Sequence, residues 1–338
     1  MRPEKLWSLW VMKHSNISIF IPHVGCPHQC SFCDQRTISG AQHLPDGSEV
    51  REICSKALDE VKFPENTEIA FFGGSFTAIP RDYMLELLTA ASEFTGEGRF
   101  RGVRCSTRPD CIDREVLDIL KKYGVTSIEL GAQSMDDEVL AANERGHTAE
   151  DVEKASRLIK EYGFELGLQI MTGLYKSSPE KDMDTFLRAA ELYPDTLRIY
   201  PVVVLKGTRL AELYESGEYV PEPFERMTEL CGEMLRLAEE KGIRVIKCGL
   251  HASEFVEHDM VAGYYHPAFR ELCESRIYLQ KLIKMAEGFS LLRVAVPAKD
   301  ISKAVGQKRS NILRMKEMGV EVRISPSADG RTEIIERR

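Results

Sequence analysis

The chain has 338 residues, a formal net charge of −8, and 43% apolar against 29% charged residues. That length exceeds what one hydrophobic core ordinarily holds, so a large domain with a smaller one is expected, and the balanced composition excludes bulk disorder. The acidic total excludes a protein that coats nucleic acid with its whole surface, yet residues 290–338 hold eleven Lys and Arg against six Asp and Glu, a local +5 on an acidic body.

The apolar run Leu6–Met12 is short, lacks a small-residue cleavage pattern and leads into the strand-like ISIFIP, so it reads neither as an export signal nor as a membrane span. No other stretch approaches the roughly 20 apolar residues that cross a bilayer. Nine cysteines without an exporting segment fit a reducing cytoplasm, where thiols bind metals or pack as small hydrophobes. A cytoplasmic protein with no membrane partner is expected.

In chain order, β-branched runs predict strands at 17–21, 68–72, 102–106, 126–130, 164–170 and 196–200, with helices at 48–62, 81–94, 113–123, 149–162 and 181–192 between them. Six βα units are too few for an eight-stranded barrel, so the expected fold is α/β: a partial (β/α)6 TIM-like barrel over residues 1–205. Beyond it, long helices at 223–241 and about 268–287 flank a strand at 244–250, a helical extension over 206–288. The end reads strand (292–296), helix (299–305), helix (310–317), strand (319–324), strand (331–336), a small α+β domain over 289–338.

Chemistry in such a barrel gathers at the C-terminal ends of the strands. There lie a cysteine-rich loop after the first strand, GGSF (73–76), STRPD (106–110), GAQS (131–134) and MTGL (171–174). The loop, HVGCPHQCSFCDQR (23–36), allows two metal readings. A structural zinc site would need His23 or His28 as fourth ligand, whereas an iron–sulfur cluster held by three cysteines would leave one iron open for a substrate or cofactor.

Cys26-x3-Cys30-x2-Cys33, with Phe32 before the last cysteine, resembles the signature of radical S-adenosylmethionine (SAM) enzymes. The resemblance implies a [4Fe–4S] cluster on Cys26, Cys30 and Cys33, with SAM chelated at the open iron and cleaved by one electron to a 5′-deoxyadenosyl radical. It also implies a small electron donor such as flavodoxin or ferredoxin. Phe32 joins the cofactor-binding set. Gly73-Gly74 resembles the GGE turn that receives the methionine amine, with Ser75 replacing the usual Glu. Gln133 and Arg145 reproduce the spacing of a ribose contact and a methionine-carboxylate contact in relatives of the oxygen-independent coproporphyrinogen oxidase type. Ser106 and Gln169 occupy the positions of two acidic contacts in those relatives.

FFGGSFTAIP, STRPDCID, IELGAQSMDDEVLAANERGHT and RIYPVVVLKGTRLAELYESGEY resemble the radical-SAM half of the Elongator catalytic-subunit family, which modifies the wobble uridine of transfer RNA. That family has a longer cysteine motif and an acetyltransferase domain, so acetyl transfer is not expected here. VAVPAKDISKAVGQKRSNILRMKEMGVEVRI resembles a KH domain, whose GxxG loop clamps nucleic-acid backbone. Gly306, Lys308 and Arg309 fall on that loop, with Arg309 in place of the second glycine.

The expectation is a radical SAM enzyme that modifies RNA, with transfer RNA presented by the C-terminal module. Two rivals are a radical SAM enzyme acting on a small molecule such as a porphyrin precursor, and a non-catalytic zinc- or cluster-bearing RNA-binding protein.

Overall fold

A computed structural model describes residues 15–21, 24, 26, 29–34, 43–251 and 254–338. The apolar run Leu6–Met12 and both histidines weighed as zinc ligands, His23 and His28, lie outside the described residues. Among those described, no helix is long and apolar enough to cross a membrane.

Alternating strands and helices build one parallel sheet. Its strands are β1 (Ser15–Ile21), β2 (Thr67–Gly73), β3 (Gly102–Thr107), β4 (Val125–Gln133), β5 (Glu165–Thr172) and β6 (Thr196–Pro201). Helices α1 (Gly47–Glu60), α2 (Arg81–Ser92), α3 (Arg114–Lys122), α4 (Asp137–Ala142), α5 (Ala149–Glu161) and α6 (Pro179–Glu191) supply the crossovers that parallel neighbours require. Local chemistry starts several of them: Asp46 and Thr148 form capping boxes, and Asp113, Asp136 and Ser178 accept from backbone N–H groups of the first turn.

A short ribbon pairs β7 (Val203–Leu205) with a strand from after the next helices, α7 (Arg209–Glu215) and α8 (Phe224–Glu240). The strand after α8, β8 (Arg244–Cys248), was assigned from sequence to the extension but pairs parallel with β6, so the sheet order is β1-β2-β3-β4-β5-β6-β8. The result is a seven-stranded, open, curled sheet: a partial barrel one strand wider than the six βα units imply. Helix α9 (Glu254–Asp259), β9 (Met260–Gly263, the partner of β7) and α10 (Phe269–Met285) follow.

Side-chain parity separates the two faces of the sheet. Ile69, Phe71, Val103, Ile128, Leu130, Leu166, Leu168, Leu197 and Ile199 are buried in one core with the helices. The opposite parity carries polar groups inward, among them Glu68, Arg104, Glu129 and Arg198, whose charges pair with one another, and Ser127, whose hydroxyl accepts from Arg104.

The C-terminal module is β10 (Leu291–Val296), α11 (Ile301–Val305), α12 (Ser310–Glu317), β11 (Glu321–Pro326) and β12 (Glu333–Arg337), in sheet order β11-β10-β12. Strands β10 and β11 run parallel, and β12 is antiparallel to β10. Its own core includes Leu292, Val294, Ala304 and Met315, closed by Leu279 and Leu282 of α10. Helix α10 therefore serves both cores, since Phe269 and Cys273 pack against the barrel.

Candidate active site

The strand C-termini open into a cavity of about 1030 Å³. The loop after β1 brings Cys26, Cys30, Phe32 and Cys33 to its wall. Cys30 and Phe32 are buried, Cys33 is half-buried and Cys26 exposed. Among the described residues no three Cys, His, Asp or Glu side chains converge as a metal-ligand set, so the three thiols share one cavity wall without forming a closed site. The middle of the loop is clasped from both sides. Ser31 donates from its N–H to the Asn143 carbonyl (3.2 Å) and from its hydroxyl to Asn143 Oδ1 (2.9 Å), and its carbonyl accepts from Leu210 N–H (2.7 Å).

Gly73 and Gly74 line the same cavity, and their glycine identity has a packing cause. A Cβ on Gly74 would lie 2.5 Å from the Val24 carbonyl oxygen, and one on Gly73, at φ +112°, 2.7 Å from that of Ile21. Gly74 N–H already donates to Ile21 O at 2.8 Å, which leaves backbone carbonyls to receive an amine. Ser75 stitches two strand exits together: its hydroxyl lies 2.9 Å from Thr107 Oγ1 and accepts from Arg108 N–H at 3.1 Å.

Gln133, Arg145, Ser106 and Gln169 also reach the cavity. A bulge at the end of β4 sets Gln133 at φ +64°, where Gln169 Nε2 donates to its Oε1 at 3.2 Å. Buried Arg145 donates from Nη1 to Cys30 Sγ at 3.1 Å and from Nη2 to Gly131 O at 2.6 Å, while its Nε has no partner among the described residues. Residues 115 apart in sequence thus meet as a guanidinium beside a thiol.

Arg108 was not singled out from sequence, although it stands in the STRPD stretch. Its Nε and Nη2 bind both oxygens of Asp110 (2.9 and 3.0 Å), Nη2 also reaches the Arg145 carbonyl, and buried Nη1 is left without a partner among the described residues. Beside them, His147 is held down to about 4 by burial and by the Arg145 charge, so it stays neutral. Two buried arginines with orphaned donors among the described residues, next to thiols and the Gly73-Gly74 backbone, fit a ligand that carries a carboxylate and an amine. Gly306, Lys308 and Arg309 lie in the separate C-terminal module and do not reach this cavity.

Six cysteines lie outside the loop: Cys54, Cys105, Cys111, Cys231, Cys248 and Cys273. Five are buried and Cys111 is half-buried. Cys231, Cys248 and Cys273, however, come from α8, β8 and α10 into mutual thiol contact, a grouping that their sequence spacing hides. Among the described residues they too form no metal-ligand set.

The profile of the radical SAM superfamily matches residues 20–189, half of the chain. The chain belongs to the radical SAM superfamily. A radical SAM C-terminal domain profile matches residues 194–279, so this is a member of an enzyme superfamily over most of its length. Relatives include a tRNA uridine(34) acetyltransferase of Dehalococcoides mccartyi, 27% identical over 65% of this chain and 56% of the relative. A protein of the same name from Methanocaldococcus jannaschii is 32% identical over 61% of this chain and 45% of its own. Human Elongator complex protein 3 is 33% identical over 51% of this chain and 35% of its own. The chain thus spans about half or less of the length of these curated relatives. Among solved structures, the archaeal Methanocaldococcus infernus Elp3 with an N-terminal deletion superposes with a TM-score of 0.55 at 21% identity, over 72% of this chain and 61% of that one. Streptococcus suis SuiB gives 0.51 at 14% identity over 70% and 50%. Both share the fold of this chain.

Proposed function

We propose that this radical SAM protein modifies RNA, with transfer RNA as the substrate class. Cys26, Cys30 and Cys33 would hold a [4Fe–4S] cluster, and the carbonyls at Gly73-Gly74 with Gln133, Gln169 and Arg145 would hold SAM. When bound, that pair supplies a 5′-deoxyadenosyl radical by one-electron cleavage of the sulfonium. The chain's own part is to orient and to exclude water. The Ser31–Asn143 clasp holds the cysteine loop, Arg145 presents a cation where a methionine carboxylate would sit, and neutral His147 adds no competing charge.

The observation that carries this reading is the convergence of the cysteine loop, the Gly-Gly turn, Gln133 and Arg145 on one cavity, with Arg145 bonded to Cys30. RNA as substrate draws on the relatives named as tRNA uridine(34) acetyltransferases and on the C-terminal module. There Lys308 and Arg309 are exposed and take left-handed φ values of 51° and 64°, so the arginine adopts the conformation for which a GxxG loop uses glycine. Acetyl transfer is not part of the proposal.

Anaerobic purification should yield a coloured, iron-bearing protein that forms 5′-deoxyadenosine from SAM and reductant. Transfer RNA from cells lacking the protein should lack one modified nucleoside found in the parent strain. Unchanged nucleosides would move the assignment to a small-molecule substrate. A colourless, iron-free protein would sink the radical chemistry altogether.

A further inference from the structure

One row of inward-facing residues continues past the cofactor-facing glutamine. Gly131 pairs with Gln169 across β4 and β5, Gln169 with Arg198 across β5 and β6, and Arg198 with Lys247 across β6 and β8. Lys247 therefore lies at the opposite edge of the sheet from β1 and its cysteine loop, yet it lines the same cavity.

The cavity is lined by four fixed cations, Arg108, Arg145, Arg198 and Lys247, against two carboxylates, Asp34 and Glu129. Arg108 is matched by Asp110, and Arg198 by both oxygens of Glu129 (2.8 and 3.0 Å). Arg145 donates to Cys30 Sγ. Among the described residues the Lys247 ammonium has neither a carboxylate nor a hydrogen-bond partner, although it is half-buried. Burial first, and then the neighbouring Arg198 charge, hold its pKa below the ordinary lysine value. A partly desolvated, unmatched ammonium gains from a counter-ion. At about 1030 Å³ the cavity also stands at the upper end of the roughly 300–1,000 Å³ usual for one small ligand, which leaves room beyond a cofactor. The Arg198 fork that would suit a planar carboxylate is already engaged, whereas a compact three-donor ammonium suits a tetrahedral anion.

We propose that Lys247 anchors a phosphate of the substrate at the β6–β8 edge of the cavity, across from the cysteines. The phosphate can belong to the RNA strand or to a free nucleotide; the first source rests on the function proposed above.

The test uses the full chain, reconstituted anaerobically, with Lys247→Gln and Lys247→Arg and three probes: a short uridine-containing RNA stem–loop, uridine monophosphate and uridine. Lys247→Gln should weaken a phosphate-bearing probe about tenfold and lower its log–log salt slope by about one, and Lys247→Arg should restore most of the loss. A matching melting temperature excludes misfolding as the cause. Loss on the stem–loop assigns the phosphate to RNA; loss on uridine monophosphate alone assigns it to a free nucleotide. Wild-type affinity of Lys247→Gln for both probes, or equal weakening of uridine, overturns the anchor. If the wild type binds uridine monophosphate through Lys247 but no stem–loop, the anchor stands and the RNA reading falls. If the stem–loop depends on Lys308 and Arg309 and no phosphate-bearing probe on Lys247, the RNA reading stands and the anchor falls.

Discussion

Arg104 has no exposed surface, yet Glu68, Glu129 and Glu165 all reach its guanidinium at 2.7–3.1 Å. Such a group fills the inside of the sheet without an apolar core, and its cost is hidden until one member is removed. Arg104→Met should destabilise the fold by about 3–5 kcal/mol, read as a lowered urea midpoint, because the buried Glu68 carboxylate would lose its 2.7 Å ion pair. Two further residues set opposing pH dependences. Burial raises Asp182 to about 7, against hydrogen bonds from Ser177 and from Gly173 N–H. Between about 3.8 and 7 the folded state keeps a proton that the unfolded chain has released, so this residue's stabilisation is lost as pH rises. For His147, from about 6.5 down to 4, the unfolded chain takes up a proton that the folded state refuses, so stability is lost as pH falls. Urea midpoints of Asp182→Asn across pH 4–8 should lose the falling component, and those of His147→Gln the rising one. Equal profiles for both variants and the wild type would refute the two environments.

At the scale of elements, the alternation of apolar runs and capped helices made most of the sheet legible. The expected helices at 48–62 and 149–162 are found at Gly47–Glu60 and Ala149–Glu161, beginning at Asp46 and Thr148 caps visible in the sequence. Helix Asp137–Ala142 and the Val203–Leu205 ribbon strand were missed. The helix spans six residues and the ribbon strand three, too few for periodicity to register, and the ribbon strand exists only through its pairing with Met260–Gly263. That short helix matters, because Asn143 at its C-terminal end clasps the cysteine loop through Ser31. Asn143 is fully buried, and its Nδ2 also donates to the Tyr175 carbonyl at 2.9 Å. Asn143→Ala should cost about 1–3 kcal/mol and leave less iron bound after anaerobic reconstitution. Wild-type iron content in a variant with a lowered melting temperature would show that the clasp is structural alone.

For the whole molecule, helix Phe269–Met285 couples the barrel to the C-terminal module. Asn311, one per cent exposed, lies on the module's second helix, and its Nδ2 is within 3.1 Å of the carbonyls of Ser275, Lys303 and Ala304. Asn311→Ala should lower stability by about 1–3 kcal/mol and separate one unfolding transition into two, as followed by calorimetry. At the module's loop, Lys308→Glu with Arg309→Glu should weaken RNA binding about uniformly across sequences and lower the salt slope by about two. Binding that survives unchanged would make the module a packing device.

The strands of the parallel sheet, their order of appearance, the cysteine triplet and the basic end were determined by the sequence itself, because period, caps and spacing are properties of neighbours along a chain. Tertiary structure decided what depends on residues far apart: the seventh strand, the Arg145–Cys30 contact, the thiol grouping of Cys231, Cys248 and Cys273, and the unmatched charge of Lys247. A charge is matched or unmatched only by what folding brings near it. The sequence names the ions, and the fold alone chooses their partners.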